Sequence, residues 1–143
     1  MTVIAWDGKT LAADRQGTSG NLIRKVTKID RMGNNLVAFA GDLVYGHMLM
    51  HWMRGGGEPA DWPKQPGEEN WCALTVVTRV CILHYCGVHI PAVFPLGVHF
   101  ADGVGRDFAL GAMAAGADAR RAVEIASELD TSCGGGVDAY ELL

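Results

Sequence analysis

Thr2 heads an apolar run, VIAW, and an Asp7-Gly8 turn folds that run back onto TLAAD. Methionine is generally trimmed before a small side chain, and a chain beginning at Thr2 carries a free amine beside its own hydroxyl. Nucleophile and base then occupy one residue. An α-amine titrates at about 7.7–8.0 and a lysine near 10.4, so the amine serves as a base near neutral pH without burial. On residue type alone, a small second residue is equally the ordinary start of a strand.

The elements around Thr2 must therefore decide its role. Strands are expected at 2–6, 10–14, 25–30 and 36–40, with the Gly- and Ser-rich stretch 17–21 as a loop. A helix is predicted over 43–54, capped by Asp42 and stopped by Gly55-Gly56-Gly57. Residues 55–70 hold three prolines and four glycines and read as a long loop, with Trp62 and Trp71 available to cover the exposed flank. WCALTVVT and RVCILHYC form a hairpin, and a short strand follows near 97–101. A helix over 107–115 ends at Gly116, and Asp118 caps another whose Ala119, Ala122, Val123, Ala126 and Leu129 share one face. VDAYEL closes the chain as a strand.

Four segments in order carry a resemblance. They are DGKTLAADR after the leading Thr2, KVTKID with AGD at Ala40–Asp42, GVGRDFALGAM from Gly103, and ELDTSCGGGVD near the C-terminus. Together they resemble proteasome β-subunits and the peptidase subunit of the bacterial two-component ATP-dependent protease, which are N-terminal nucleophile hydrolases. The resemblance covers about two-thirds of the chain and is weak in the middle. It implies an α+β fold, a four-layer αββα sandwich with a reduced first helical layer, because 55–70 replaces a helix that family members carry there. One domain spanning 1–143 is expected.

The resemblance also distributes roles. Thr2 would be the nucleophile, Lys25 the positive charge beside its hydroxyl, and Asp14 the partner that keeps Lys25 charged. The Gly41 amide would donate to the oxyanion. Asp130 would orient the amine and hydroxyl, and Cys133 stands where the family has a serine. Residue types alone read Asp14 and Lys25 equally as an exposed ion pair, and Gly41 as a bend before the Asp42 cap. Val104 replaces a second family serine, that of GSG, and removes a hydrogen bond to the terminal amine; Cys133 is a weak donor and a natural small buried filler.

The activity implied is a threonine peptidase, cleaving peptide or amide bonds once Met1 is gone, with no cofactor or metal. The alternatives are a scaffold or assembly protein that has abandoned catalysis, or an amidohydrolase of small amides. A homo-oligomer is expected from the resemblance, with an ATPase partner unassigned, and proteins of this kind suit bacterial or prophage genomes.

Composition fits that frame. At 143 residues the chain buries close to 70% of its unfolded surface without a metal or disulfide. Net charge is −4 with no basic stripe, which disfavours nucleic acid. Four cysteines form no CxxC pair, no stretch reads as a signal peptide, and no segment is long and apolar enough for a membrane span, so a cytoplasmic protein is expected. His47 and His51 have a zinc-compatible spacing, but Met48 stands where a zinc protease needs glutamate. GVGRDF lacks the glycine spacing of a dinucleotide site, and His84, His89 and His99 fit no pattern.

Overall fold

The computed structural model describes residues 2–143. Met1, and with it the question of its removal, lies outside the described residues. Those residues form an α+β arrangement of three α-helices and three sheets. Strands β1 (Val3–Trp6) and β2 (Thr10–Asp14) form the expected hairpin, with Asp7 Oδ1 accepting from the Lys9 and Thr10 amides to shape its turn. β3 (Gln16–Ser19) and β4 (Leu22–Lys25) form a separate two-stranded ribbon. Next come β5 (Ile29–Met32), β6 (Asn35–Gly41) and α1 (Leu43–Arg54). β7 (Cys72–Val77), β8 (Cys81–Cys86), β9 (Ala92–Pro95) and β10 (Phe100–Gly103) precede α2 (Arg106–Ala114), α3 (Ala119–Leu129) and β11 (Val137–Glu141).

Sheet order is β10-β1-β2-β11 in one sheet and β5-β6-β7-β8-β9 in the other, with every neighbouring pair antiparallel. The two-residue period of a strand sends alternate side chains to opposite faces. Ile4, Trp6, Leu11 and Ala13 accordingly pack with Ile29, Leu36, Ala38, Val77 and Ile82 of the other sheet. Val3, Ala5 and Ala12 turn the other way, onto Ala109, Met113, Ala122, Val123 and Ala126 of α2 and α3. Val37, Phe39, Leu74 and Val76 meet Tyr45, Leu49 and Trp52 of α1. The caps are as the sequence predicts: Asp42 accepts from the Tyr45 amide and Asp118 from the Arg121 amide.

Three expectations are corrected, and one unanticipated strand is added. The strand expected at 25–30 is divided between β4 and β5, with 26–28 outside any ladder. The expected loop 17–21 is the tip of the β3–β4 ribbon, where Gly20, at φ 59°, takes the turn position that favours glycine. β9 was masked in sequence by Pro91 and Pro95; it is an edge strand pairing with β8 alone, where proline costs no ladder bond. The strand placed near 97–101 is β10, three residues further on.

The 55–70 segment contains a single short 3₁₀ turn at Pro59–Asp61. It is pinned by Trp52 Nε1 donating to the Glu58 carbonyl (2.8 Å) and Tyr45 Oη donating to the Pro63 carbonyl (3.0 Å). Trp62 covers the flank as anticipated, edge-on to Trp52 at 4.8 Å and stacked on Tyr85 at 5.9 Å. Trp71 does not; it is half-exposed.

Candidate active site

β2 runs into the interior and ends on a carboxylate. Asp14 is fully buried, and its two oxygens accept four hydrogen bonds. Oδ1 takes the Val3 amide (3.1 Å) and Lys28 Nζ (2.8 Å), and Oδ2 takes the amides of Gly134 (3.1 Å) and Gln16 (3.3 Å). One side chain thus ties together the residue after Thr2, the approach to β5 and the glycine run before β11. A buried charge requires such partners, since an unpaired one is prohibitively costly to desolvate.

The lysine at this point is Lys28. Lys25, expected beside Asp14, is exposed on β4 and pairs across the ribbon with Gln16. The reason lies in the strand register. β5 runs antiparallel to β6 with Ile29 opposite Ala38, and the Phe39 amide donates to the Lys28 carbonyl at 3.0 Å. Lys28 is thereby delivered beside the end of β6, while Lys25 is spent on the ribbon. Burial lowers the Lys28 pKa, and the charge and hydrogen bond of Asp14 act against that shift.

Thr2 is fully buried, and its Oγ1 makes no hydrogen bond with any described residue. Its carbonyl accepts from the Gly105 amide at 3.3 Å and lies against Gly103, where a Cβ would strike it. Gly103 has φ 93°, so both its backbone and its lack of a side chain permit β10 to end against the start of β1. Gly41 closes β6 at φ 131° with the Trp71 carbonyl where a Cβ would sit. Gly41, Lys28, Trp71, Asp102, Gly103 and Val104 all line one cavity of about 530 Å³.

Asp130 is the C-terminal cap residue of α3. Its Oδ1 accepts from the Ser132 amide (2.8 Å), and its carbonyl accepts from the Cys133 amide (3.1 Å). Cys133 is buried, and its Sγ stands 3.0 Å from the point where a Cβ on Gly105 would lie. Burial, then the Asp14 and Asp130 charges, push its thiol up to about 12, with Lys28 acting in the opposite direction. Asp14, Lys28, Asp130 and Cys133 therefore share one electrostatic neighbourhood. Val104 is half-exposed at the mouth of α2.

Two residues of this region escaped the sequence reading. Lys28 was signalled only by being the second lysine of KVTKID, directly before the inward-facing Ile29. Gln16 carried no signal: it is buried and donates from Nε2 to the Thr131 carbonyl at 2.9 Å, bracing the loop after α3. Elsewhere, His47 lies edge-on to Phe39 at 5.7 Å, and among the described residues no group of three or more His, Cys, Asp or Glu is placed to hold a metal. No helix among them is long and apolar enough to cross a membrane.

No protein-family profile matches the sequence. No curated protein matches it either. Solved structures do. Thiobacillus denitrificans BPH in complex with epoxomicin superposes with a TM-score of 0.74 at 20% identity, covering 100% of both chains. A second structure of Thiobacillus denitrificans BPH gives the same score and identity over 100% of this chain and 99% of that one. Eukaryotic HslV from Trypanosoma brucei matches with a TM-score of 0.71 at 22% identity over 98% of this chain and 97% of its own. The chain therefore has the fold of HslV-like, proteasome-type peptidase subunits.

Proposed function

We propose that the chain is an N-terminal threonine hydrolase cleaving peptide or other amide bonds, with Thr2 as nucleophile after removal of Met1. The observation that carries the reading is the buried Lys28–Asp14 pair, which is hydrogen-bonded at 2.8 Å and anchored to the Val3 amide, next to a Thr2 hydroxyl that has no hydrogen-bond partner among the described residues. A buried hydroxyl without a protein partner is uncommon, and a nucleophilic role is consistent with it.

In the proposed reaction the Thr2 amine takes the hydroxyl proton as Oγ1 attacks the substrate carbonyl carbon. The Lys28 ammonium steadies the alkoxide, and the Gly41 amide donates to the oxygen that gains charge, a contribution of about 3 kcal/mol where a single donor has been removed elsewhere. The amide C–N bond then breaks, the proton passes from the Thr2 amine to the departing nitrogen, and an ester on Thr2 remains. Water, deprotonated by the same amine, cleaves that ester and regenerates the hydroxyl. Asp130 and Cys133 are positioning residues, acting through the loop behind Thr2 and Asp14.

The same reading makes the chain one domain with αββα layering, in which 55–70 stands in place of a family helix. The three packing clusters, one between the sheets and one on each outer face, support that layering. We propose a homo-oligomer. An inactive assembly protein is the competing account, and Val104, which offers no hydroxyl at the GSG position, is its evidence. Labelling by epoxomicin, the compound found with BPH, separates them: modification of a chain beginning at Thr2 supports the hydrolase, and a trimmed chain that resists it supports the scaffold.

A further inference from the structure

The cavity that holds Gly41 and Lys28 has a second pole unused by the proposed chemistry. Asp102, on β10, lines it directly before the glycine that touches Thr2. Its Oδ2 is buried and accepts no hydrogen bond from any described residue. The nearest cationic candidate is His84 Nε2 at 3.8 Å, beyond hydrogen-bond reach. His84 is itself held at its other ring nitrogen, 3.3 Å from Thr75 Oγ1 on the neighbouring strand. Imidazole and hydroxyl thus fix the wall behind Asp102 and leave part of its hydrogen-bonding capacity open.

The charge balance of the cavity is acidic. Lys28 is matched by Asp14, and Arg106 is engaged at the mouth by the Gly103 carbonyl (3.0 Å) and the Asp107 carboxylate (4.0 Å). Asp42, Glu69 and Asp102 remain on the lining. Asp42 is committed to capping α1 and Glu69 is exposed, so Asp102, a half-buried carboxylate whose side chain is 15% exposed, is the one with capacity to spare. Its field reaches β7: burial raises the Cys72 thiol to about 12, with Asp42 and then Asp102 adding to the shift, and Cys72 is the register partner of Gly41. The acidic pole therefore lies in the same cavity as the proposed oxyanion donor, Gly41.

We propose that Asp102 makes this cavity select a cationic group, a lysine- or arginine-like side chain next to the bond to be cleaved. The apolar walls, Phe39, Leu43 and Trp71, take the aliphatic stem, and the carboxylate takes the charge. This names the substrate class of the hydrolase site above and rests on that reading.

Peptides that differ only in arginine or its neutral isostere citrulline test it. Binding is measured by calorimetry on the Thr2→Ala chain, so that nothing is consumed, and cleavage of the matching coumarin amides on the unaltered chain. The arginine peptide should bind about tenfold or more tightly, and Asp102→Asn in the same background should bring the two within twofold. Equal binding of both peptides, binding of neither, or a preference that survives Asp102→Asn overturns the inference; the arginine–citrulline comparison decides even where Asp102→Asn fails to fold. Arginine preference without cleavage, and without epoxomicin labelling of a trimmed chain, sustains the cation site and overturns the hydrolase reading instead.

Discussion

Lys28 Nζ stands 2.8 Å from Asp14 Oδ1 with both side chains almost wholly removed from solvent, 3% and 0% exposed. Pairs of this kind contribute little to net stability while intact, because desolvation cancels most of the attraction. Breaking one is a different matter. Lys28→Met leaves Asp14 charged and buried and should destabilise the fold by about 3–5 kcal/mol, whereas exposed Lys25→Ala should stay within about 0.5 kcal/mol. Urea denaturation of the two variants checks this. A larger loss from Lys25→Ala would return the role to the ribbon lysine.

KVTKID contains two lysines three residues apart, and motif spacing cannot tell which one leaves the surface. That choice is made by where the β3–β4 ribbon ends and β5 begins, which the strand registers set by pairing Gln16 with Lys25 and Ile29 with Ala38. The β1–β2 hairpin, α1 and α3 were legible because their turn and cap residues act locally: Asp7, Asp42 and Asp118 each bind amides two or three residues on. β9 was not, because its prolines are tolerated only through its place at the sheet edge. Thr2, Asp14, Asp130 and Cys133 could be nominated from ordered motifs. Gln16 and Asp102 depend on what folding sets opposite them.

Gly41 should resist substitution. An alanine there meets the Trp71 carbonyl and must hold φ 131°, so Gly41→Ala should lose about 2 kcal/mol or more. Gly97→Ala, which has open space around the added Cβ and no unusual φ, is the matched control and should remain near wild type. Equal thermal shifts in the two variants would mean that the backbone at Gly41 is less constrained than its geometry indicates.

Alkaline pH should weaken the fold through its buried thiols. Burial raises both Cys72 and Cys133 to about 12. In the unfolded chain thiols ionise near about 8.5, so above that value the unfolded state binds fewer protons and stability falls as pH rises toward 12. Lys28 works in the opposite sense. Its folded pKa is lowered, so from that value up to about 10.4 the unfolded state binds more protons and stability rises with pH. Melting temperatures at pH 8 and 10.5 should therefore fall less in a Cys72→Ala, Cys133→Ala chain than in wild type; identical declines would remove the thiols as the cause.

Val104 is half-exposed and makes no polar contact through its side chain, so a hydroxyl there is sterically permitted. Val104→Ser restores the serine of the GSG pattern. One added hydrogen bond to the Thr2 amine should raise the epoxomicin labelling rate by about two- to tenfold. A rate unchanged or lowered would indicate that the amine is already oriented by other groups.

The most direct test is mass spectrometry of the intact chain before and after epoxomicin. The hydrolase account predicts loss of Met1, a single adduct on Thr2 in the trimmed chain, and no adduct in Thr2→Ala. A chain that begins at Thr2, remains folded and takes up no epoxomicin, or one that is labelled equally in Thr2→Ala, contradicts it.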